Sequence, residues 1–330
     1  MMPVLLVAIL GAMQASPPSS LTPELTAVRA QILEGRTDIA LEQLGRMPVD
    51  APPVRYLTGL AYYHRDDHVR AIEYLAPVAA ALTEGSLERR EAIQVLGLSY
   101  YLAGRLRDAL PLLEQTRQWA RDNGELGQVL GLAYIQTQQP DKARAVIAET
   151  FGVGPSSVAA HLFTAQLMIR VEFHEAAAVE LTRALALDPR APQAHALLGQ
   201  LAVYRARLDE AIALFRKAIE IGPLDAMAHY RLGEAYARQQ QWDAAIVALQ
   251  HSIWINPYFS GPYIVLGRAY MTKGQPSTAE GLLRRAVEYD PNNKSAHYLL
   301  GQALQKLGRD GDAARQFEIA AALSDSAQPR

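Results

Sequence analysis

An all-α fold, an α-solenoid of about nine helix-turn-helix repeats, is predicted by three interleaved ladders of one period. Prolines recur every 34 residues at Pro189, Pro223, Pro257 and Pro291, with Pro155 one step earlier. Alanines keep the same step at Ala143, Ala177, Ala211, Ala245, Ala279 and Ala313. Glycines keep it at Gly97 and Gly131, then at Gly199, Gly233, Gly267 and Gly301. In such a chain each helix pair buries its apolar face only by stacking on its neighbours.

The stretch from His229 to Pro257 shows the physics of one repeat. His229, Leu232, Gly233 and Tyr236 fall on one face of a first helix. Ala245, Leu249 and Ser252 fall on one face of a second. Gly233 and Ala245 are small, so the two axes can approach closely. Asp243 is the expected cap of the second helix, its carboxylate accepting from orphan amides. Pro257 ends that helix, because it lacks an N–H and disfavours helix at the residue before it.

Taken in order, the chain opens with residues 1–20, predicted to be a signal peptide and flexible lead-in. Val4 to Met13 is an apolar run too short to span a bilayer as a helix, and small Ala15 and Pro17-Pro18 follow it. No Lys or Arg precedes the run, and Met13 rather than a small residue lies two before Ala15. A membrane-associating or disordered leader on a cytoplasmic protein, or a misassigned start, is therefore the alternative. Repeat units follow at 21–51, 52–85, 90–123, 124–157, 158–191, 192–225, 226–259, 260–293 and 294–323. The first is short and is carried mainly by Ala40 and Leu44. The second is followed by an extra Ser86-Leu87-Glu88-Arg89. Residues 324–330 read as a disordered tail.

The chain resembles the tetratricopeptide repeat family. Leu232-Gly233-Glu234-Ala235-Tyr236 and Leu266-Gly267-Arg268-Ala269-Tyr270 carry the resemblance, with the second-helix alanines and the closing Asp188-Pro189 and Asp290-Pro291. The match runs over about residues 21–323. It is specific for fold and weak for function, since unrelated proteins share this scaffold. The resemblance implies a right-handed superhelix whose first helices line a concave groove, usually for a partner peptide or helix. Some relatives clamp a chaperone's terminal carboxylate with Lys and Asn. Here the matching slots hold Tyr230 and Glu234, Ile264 and Arg268, then Tyr298 and Gln302, so the clamp is absent. The asparagine ladder of sugar-transferring relatives is also missing, with Arg231 and Val265 in its place.

Composition narrows the function classes. The 330 residues are 50% hydrophobic and 20% charged, with a formal net charge of -2. Lys and Arg are interspersed with Asp and Glu, so no basic stripe is available to neutralise phosphates, and a nucleic-acid partner is not expected. There is no cysteine, which removes disulfides, thiolate metal sites and a cysteine nucleophile. No later stretch reads as a stable membrane span. No catalytic residue, cofactor or metal is predicted, and the chain is read as not an enzyme.

His161, His195, His229 and His297 share the 34-residue step, with Tyr263 on the missing rung. Adjacent repeats stand roughly 10 Å apart, too far for successive rungs to share an ion held by bonds of about 2 Å. In the family this slot holds a large side chain packed on the neighbouring helix. His64 and His68 are spaced as a helical zinc pair would be, but the repeat register puts a turn between them. They are expected to be a solvated turn.

The outward side of the first helices is where a groove is expected. In the N-terminal half it offers Tyr56, Leu60, Tyr63, Leu98, Tyr101 and Leu102. In the C-terminal half it offers Gln166, Arg170, Gln200, Tyr204, Tyr230, Glu234, Arg238, Arg268, Gln302 and Lys306. Tyrosine and arginine dominate interface energies; some of these side chains could instead be core. At the C-terminal edge Phe317 and Leu323 are expected to leave an apolar patch that self-associates or docks on a partner, since an uncapped solenoid end exposes core.

The expected function is a non-enzymatic protein–protein interaction scaffold holding a partner peptide or protein in the groove. It would be exported, periplasmic in a Gram-negative bacterium, and would act in envelope or secretion complex assembly. The alternative is a cytosolic regulatory or subunit module acting on a partner enzyme.

Overall fold

The computed structural model describes residue 19 and residues 21–325. The predicted signal peptide lies outside the described residues, as do residues 326–330 of the tail. Every regular element among the described residues is helical, which confirms the all-α reading. The helices group into two compact units, one reaching Ala177 and the other starting at Ala178.

The first unit holds α1 (Pro23–Leu33), α2 (Thr37–Leu44), α3 (Pro52–His64), α4 (His68–Leu75), α5 (Leu87–Leu102), α6 (Leu106–Trp119), α7 (Gly124–Gln136), α8 (Pro140–Thr150) and α9 (Val158–Arg170). The boundary falls inside α10 (His174–Leu187). The second unit continues with α11 (Pro192–Tyr204), α12 (Leu208–Ile221), α13 (Ala226–Arg238), α14 (Trp242–Ile255), α15 (Ser260–Thr272), α16 (Pro276–Tyr289), α17 (Lys294–Lys306) and α18 (Asp310–Asp325). In the second unit each helix packs on the next, and the odd-numbered helices also touch one another. That contact between alternate helices builds one continuous face from α11, α13, α15 and α17.

The turn inside each pair has one chemistry. A residue in the left-handed region sits at the same rung each time, from Gly35 and Asp66 through Gly104, Gln138, Glu172, Ala206, Gln240 and Gly274 to Gly308. The next amide then reaches back five residues, as Gln241 does to the Tyr236 carbonyl and Gln275 to that of Tyr270, both at 2.9 Å. This closes the first helix with a Schellman-type bond.

Packing within a pair depends on the glycine ladder. A Cβ on Gly233 would stand 2.5 Å from Leu249 Cγ, and one on Gly267 would stand 2.5 Å from Leu283 Cγ. The facing Leu249 and Leu283 are fully buried. The His/Tyr rung has a second role beyond packing. His195, His229 and His297 place Nε2 at 3.0, 3.0 and 2.9 Å from the carbonyls of Pro189, Pro223 and Pro291. Tyr263 donates its hydroxyl to the Pro257 carbonyl at 2.9 Å. Proline blocks the helix and so frees a carbonyl, and the next first helix supplies the donor that satisfies it.

Two local expectations are corrected. Asp243 is not a cap: α14 has Gln241 at that position with no side-chain capping bond, and Asp243 lies in the first turn paired with Lys273. A carboxylate there still favours the positive helix end, and the exposed Lys273 offers it a better partner than the amides do. The extra Ser86–Arg89 segment opens α5. Ser86 caps α5 by accepting from the Arg89 amide, and the helix grows to 16 residues. Ser324 and Asp325 extend α18 rather than beginning a tail.

Candidate functional site

Around α1, α3 and α5 of the first unit the face expected to form a groove is filled by the protein's own side chains. Tyr56, Leu60 and Leu98 are completely buried, and Tyr63 is nearly so. Helices α1, α3 and α5 draw together around Glu91, itself almost fully buried. Arg29 of α1 donates to both Glu91 carboxylate oxygens, each at 2.9 Å. Tyr56 of α3 donates its hydroxyl to the same carboxylate. Burial first, and Glu91 second, push the Tyr56 phenol well above its ordinary range. The expectation that Tyr56 and Tyr63 face solvent is therefore wrong. The repeat register identifies their helix face correctly but not how closely the neighbouring helices approach it. Tyr101 and Leu102 are half-buried, whereas Gln166 and Arg170 are exposed.

His64 and His68 do not form a solvated turn either. Both are half-buried, and their rings lie 5.8 and 5.9 Å from that of Tyr63. Burial holds both imidazoles below their ordinary pKa. His64 Nε2 is buried with no hydrogen-bond partner. No group of three or more His, Asp or Glu among the described residues could hold a metal ion.

The second unit keeps this face open. A cleft of about 470 Å³ is lined by Tyr230 and Glu234 from α13, by Gly261, Ile264, Val265 and Arg268 from α15, and by the first turns of α17. Tyr230, Ile264 and Tyr298 are the same rung of three successive repeats, and all three line it. The Tyr230 hydroxyl donates to Glu234 Oε1 at 2.7 Å, and its ring packs edge-on against Phe259 with centroids 4.9 Å apart. Burial and then Glu234 push the Tyr230 phenol upward, so it remains a donor. Gly261 lets the start of α15 pack closely on the two rings. A Cβ there would stand 3.0 Å from the Phe259 ring and 3.1 Å from Tyr230 Cε2.

Of the residues expected in the groove, Tyr230, Glu234 and Arg268 are brought together here. Arg238 and Lys306 are exposed at the last turns of α13 and α17, and Tyr204 is exposed at the end of α11. Gln302 lies in a neighbouring cleft of about 490 Å³ with Lys294, Tyr298 and Phe317. Lys294, Tyr298 and Gly261 were not foreseen as site residues, although Tyr298 lies on the same rung as Tyr230. At the C-terminal edge Phe317 is half-buried, because its ring fills the space beside Gly301 and stands 5.6 Å from that of Tyr298. Leu323 is also half-buried.

Family models described as tetratricopeptide repeat match residues 100–167, 169–226, 197–251 and 264–327. No curated protein matches the chain. Among solved structures, MamA 41-end from Desulfovibrio magneticus RS-1 is similar at 22% identity and a TM-score of 0.47, over 52% of this chain and 97% of that one. The Cut9 chain of the APC/C hetero-tetramer Cut9-Hcn1 is similar at 18% identity and 0.46, over 84% and 53%. YrrB, titled a TPR protein with an unusual peptide-binding site, is similar at 21% identity and 0.45, over 57% and 95%.

Proposed function

The chain belongs to the tetratricopeptide repeat family, and we propose that it is a non-enzymatic scaffold that holds a partner peptide or protein in the α13/α15/α17 cleft. The family's fold supports protein–protein interaction, and the repeat is typically a non-catalytic module. The observation that carries the assignment is the contrast between the two units on the same helix face. In the first, the buried Glu91 and Tyr56, with Arg29 beside them, fill the face around α1, α3 and α5. In the second, a cleft lined by Tyr230, Ile264 and Tyr298 stays open. Rigid helices fix those walls in advance, which lowers the ordering cost of binding.

Export, and with it a role in envelope or secretion complex assembly, rests on the Val4–Met13 run alone. Self-association through the C-terminal edge rests on the half-buried Phe317 and Leu323. Phe317 already packs against Gly301, so the cleft is the preferred site.

Crosslinking in the native cells, with wild type and a Tyr230→Ala/Arg268→Ala variant side by side, tests the assignment. Both positions are at least partly exposed, so the fold should survive, and circular dichroism checks it. A stoichiometric partner lost in the folded variant is the expected result. A partner retained in full contradicts it.

A further inference from the structure

We infer that the α13/α15/α17 cleft takes an acidic peptide segment carrying an apolar or aromatic anchor. This rests on the groove assignment above and names the class of its occupant.

The charges on this face are unbalanced. Arg238, Arg268, Lys294 and Lys306 lie on α13, α15 and α17, and none of the four forms an ion pair among the described residues. Several other cations of the second unit are matched. Arg207 pairs with Glu210, Lys217 with Glu220, Lys273 with Asp243, and Arg309 with Asp312 and Glu280. The cleft's own carboxylate, Glu234, already accepts the Tyr230 hydroxyl at 2.7 Å. Arg268 and Lys294 line the cleft against this one carboxylate, so its lining carries a net positive charge. Ile264 of α15 adds an apolar side chain to the lining, with Tyr230 and Tyr298 on the two flanking helices. The first turn of α17 also lines the cleft, adding the positive end of a helix to that lining. Asn293 caps only the Ala296 amide there.

A ligand that suits this arrangement brings carboxylates to Arg268 and Lys294 and lays an apolar side chain on Ile264 between the two tyrosine rings. Basic segments would meet unscreened like charge. Wholly apolar ones would desolvate the two cations without compensation.

The test uses the purified full chain and three fluorescent pools of short random peptides, each with one Leu or Phe: Asp/Glu-rich, Lys/Arg-rich and uncharged. Binding is read by polarisation at low and high salt. The acidic pool should bind best and weaken with salt. Arg268→Glu and Lys294→Glu, both at exposed positions, should each weaken it by about tenfold. Gly261→Leu, which crowds the Phe259 and Tyr230 rings at the cleft, should abolish it in a variant whose circular dichroism matches wild type. If the basic or uncharged pool binds as well and Gly261→Leu removes it, the acidic class is wrong and the groove assignment stands. If acidic binding ignores the charge reversals, the proposal is also wrong. If no pool binds, or if binding survives Gly261→Leu, both fall.

Discussion

Tyr263 donates its hydroxyl to the carbonyl of Pro257 at 2.9 Å, doing for its repeat what His229 does for the Pro223 carbonyl. Two unlike side chains share a rung because both place a donor at one distance from the backbone. Tyr263→Phe keeps the ring and loses the bond. It should cost about 1 kcal/mol in chemical denaturation, since Tyr263 is fully buried. Tyr263→His should recover part of that loss. Equal stability of the Phe variant and wild type would remove the rung's hydrogen-bonding role.

Ala206 sits at φ 57° on the rung where Gly104, Gly274 and Gly308 take φ of 72–73°. A Cβ in the left-handed region is strained, so Ala206→Gly should stabilise by about 1 kcal/mol, opposite to the usual effect of glycine. The thermal midpoint checks the sign. A lower midpoint would mean that unfolded-state entropy outweighs the strain.

Glu91 is the shared acceptor of Arg29 and Tyr56 inside the first unit. Glu91→Ala leaves a mostly buried guanidinium without its partner and should cost about 3 kcal/mol or more. Limited proteolysis should show the loss as cleavage confined to the first unit. A combined Arg29→Met/Glu91→Leu variant should recover much of the stability, since apolar replacements remove the stranded charge. If Glu91→Ala is silent, the cluster does not hold α1, α3 and α5 together.

His64 has its pKa lowered chiefly by burial, with Glu91 and Asp66 opposing and Arg29 assisting. Its contribution to stability is present above the unfolded value of about 6.5 and is lost as pH falls below it, because the unfolded chain binds the proton more readily. The thermal midpoint of wild type should therefore drop more between about pH 7.5 and about pH 5.5 than that of His64→Gln. His68 shifts in the same direction and should leave a smaller residual slope in the variant. Parallel slopes in the two proteins would contradict the assignment to His64.

The repeat architecture was legible because its determinants are local and periodic. Gly233 facing Leu249, Pro257 ending a helix, and the buried face of His229, Leu232 and Tyr236 all follow from spacing. The site was legible in part. Tyr230, Glu234 and Arg268 follow from the register, but the burial of Tyr56 depends on a carboxylate 35 residues away, which periodicity does not report. Asp243 has the residue type of a cap within its own helix, but its partner Lys273 lies 30 residues on. Gly261 was passed over because a missing side chain becomes a feature only once the rings of Phe259 and Tyr230 are in place.

The central claim is that the partner binds in the α13/α15/α17 cleft of the second unit rather than on the same face of the first. A photocrosslinking phenylalanine analogue placed at Tyr298, half exposed in the cleft, and separately at Tyr101 on the corresponding face of the first unit, tests it in native cells. The account predicts a partner adduct at position 298 and none at 101. An adduct at 101 with none at 298 would contradict it.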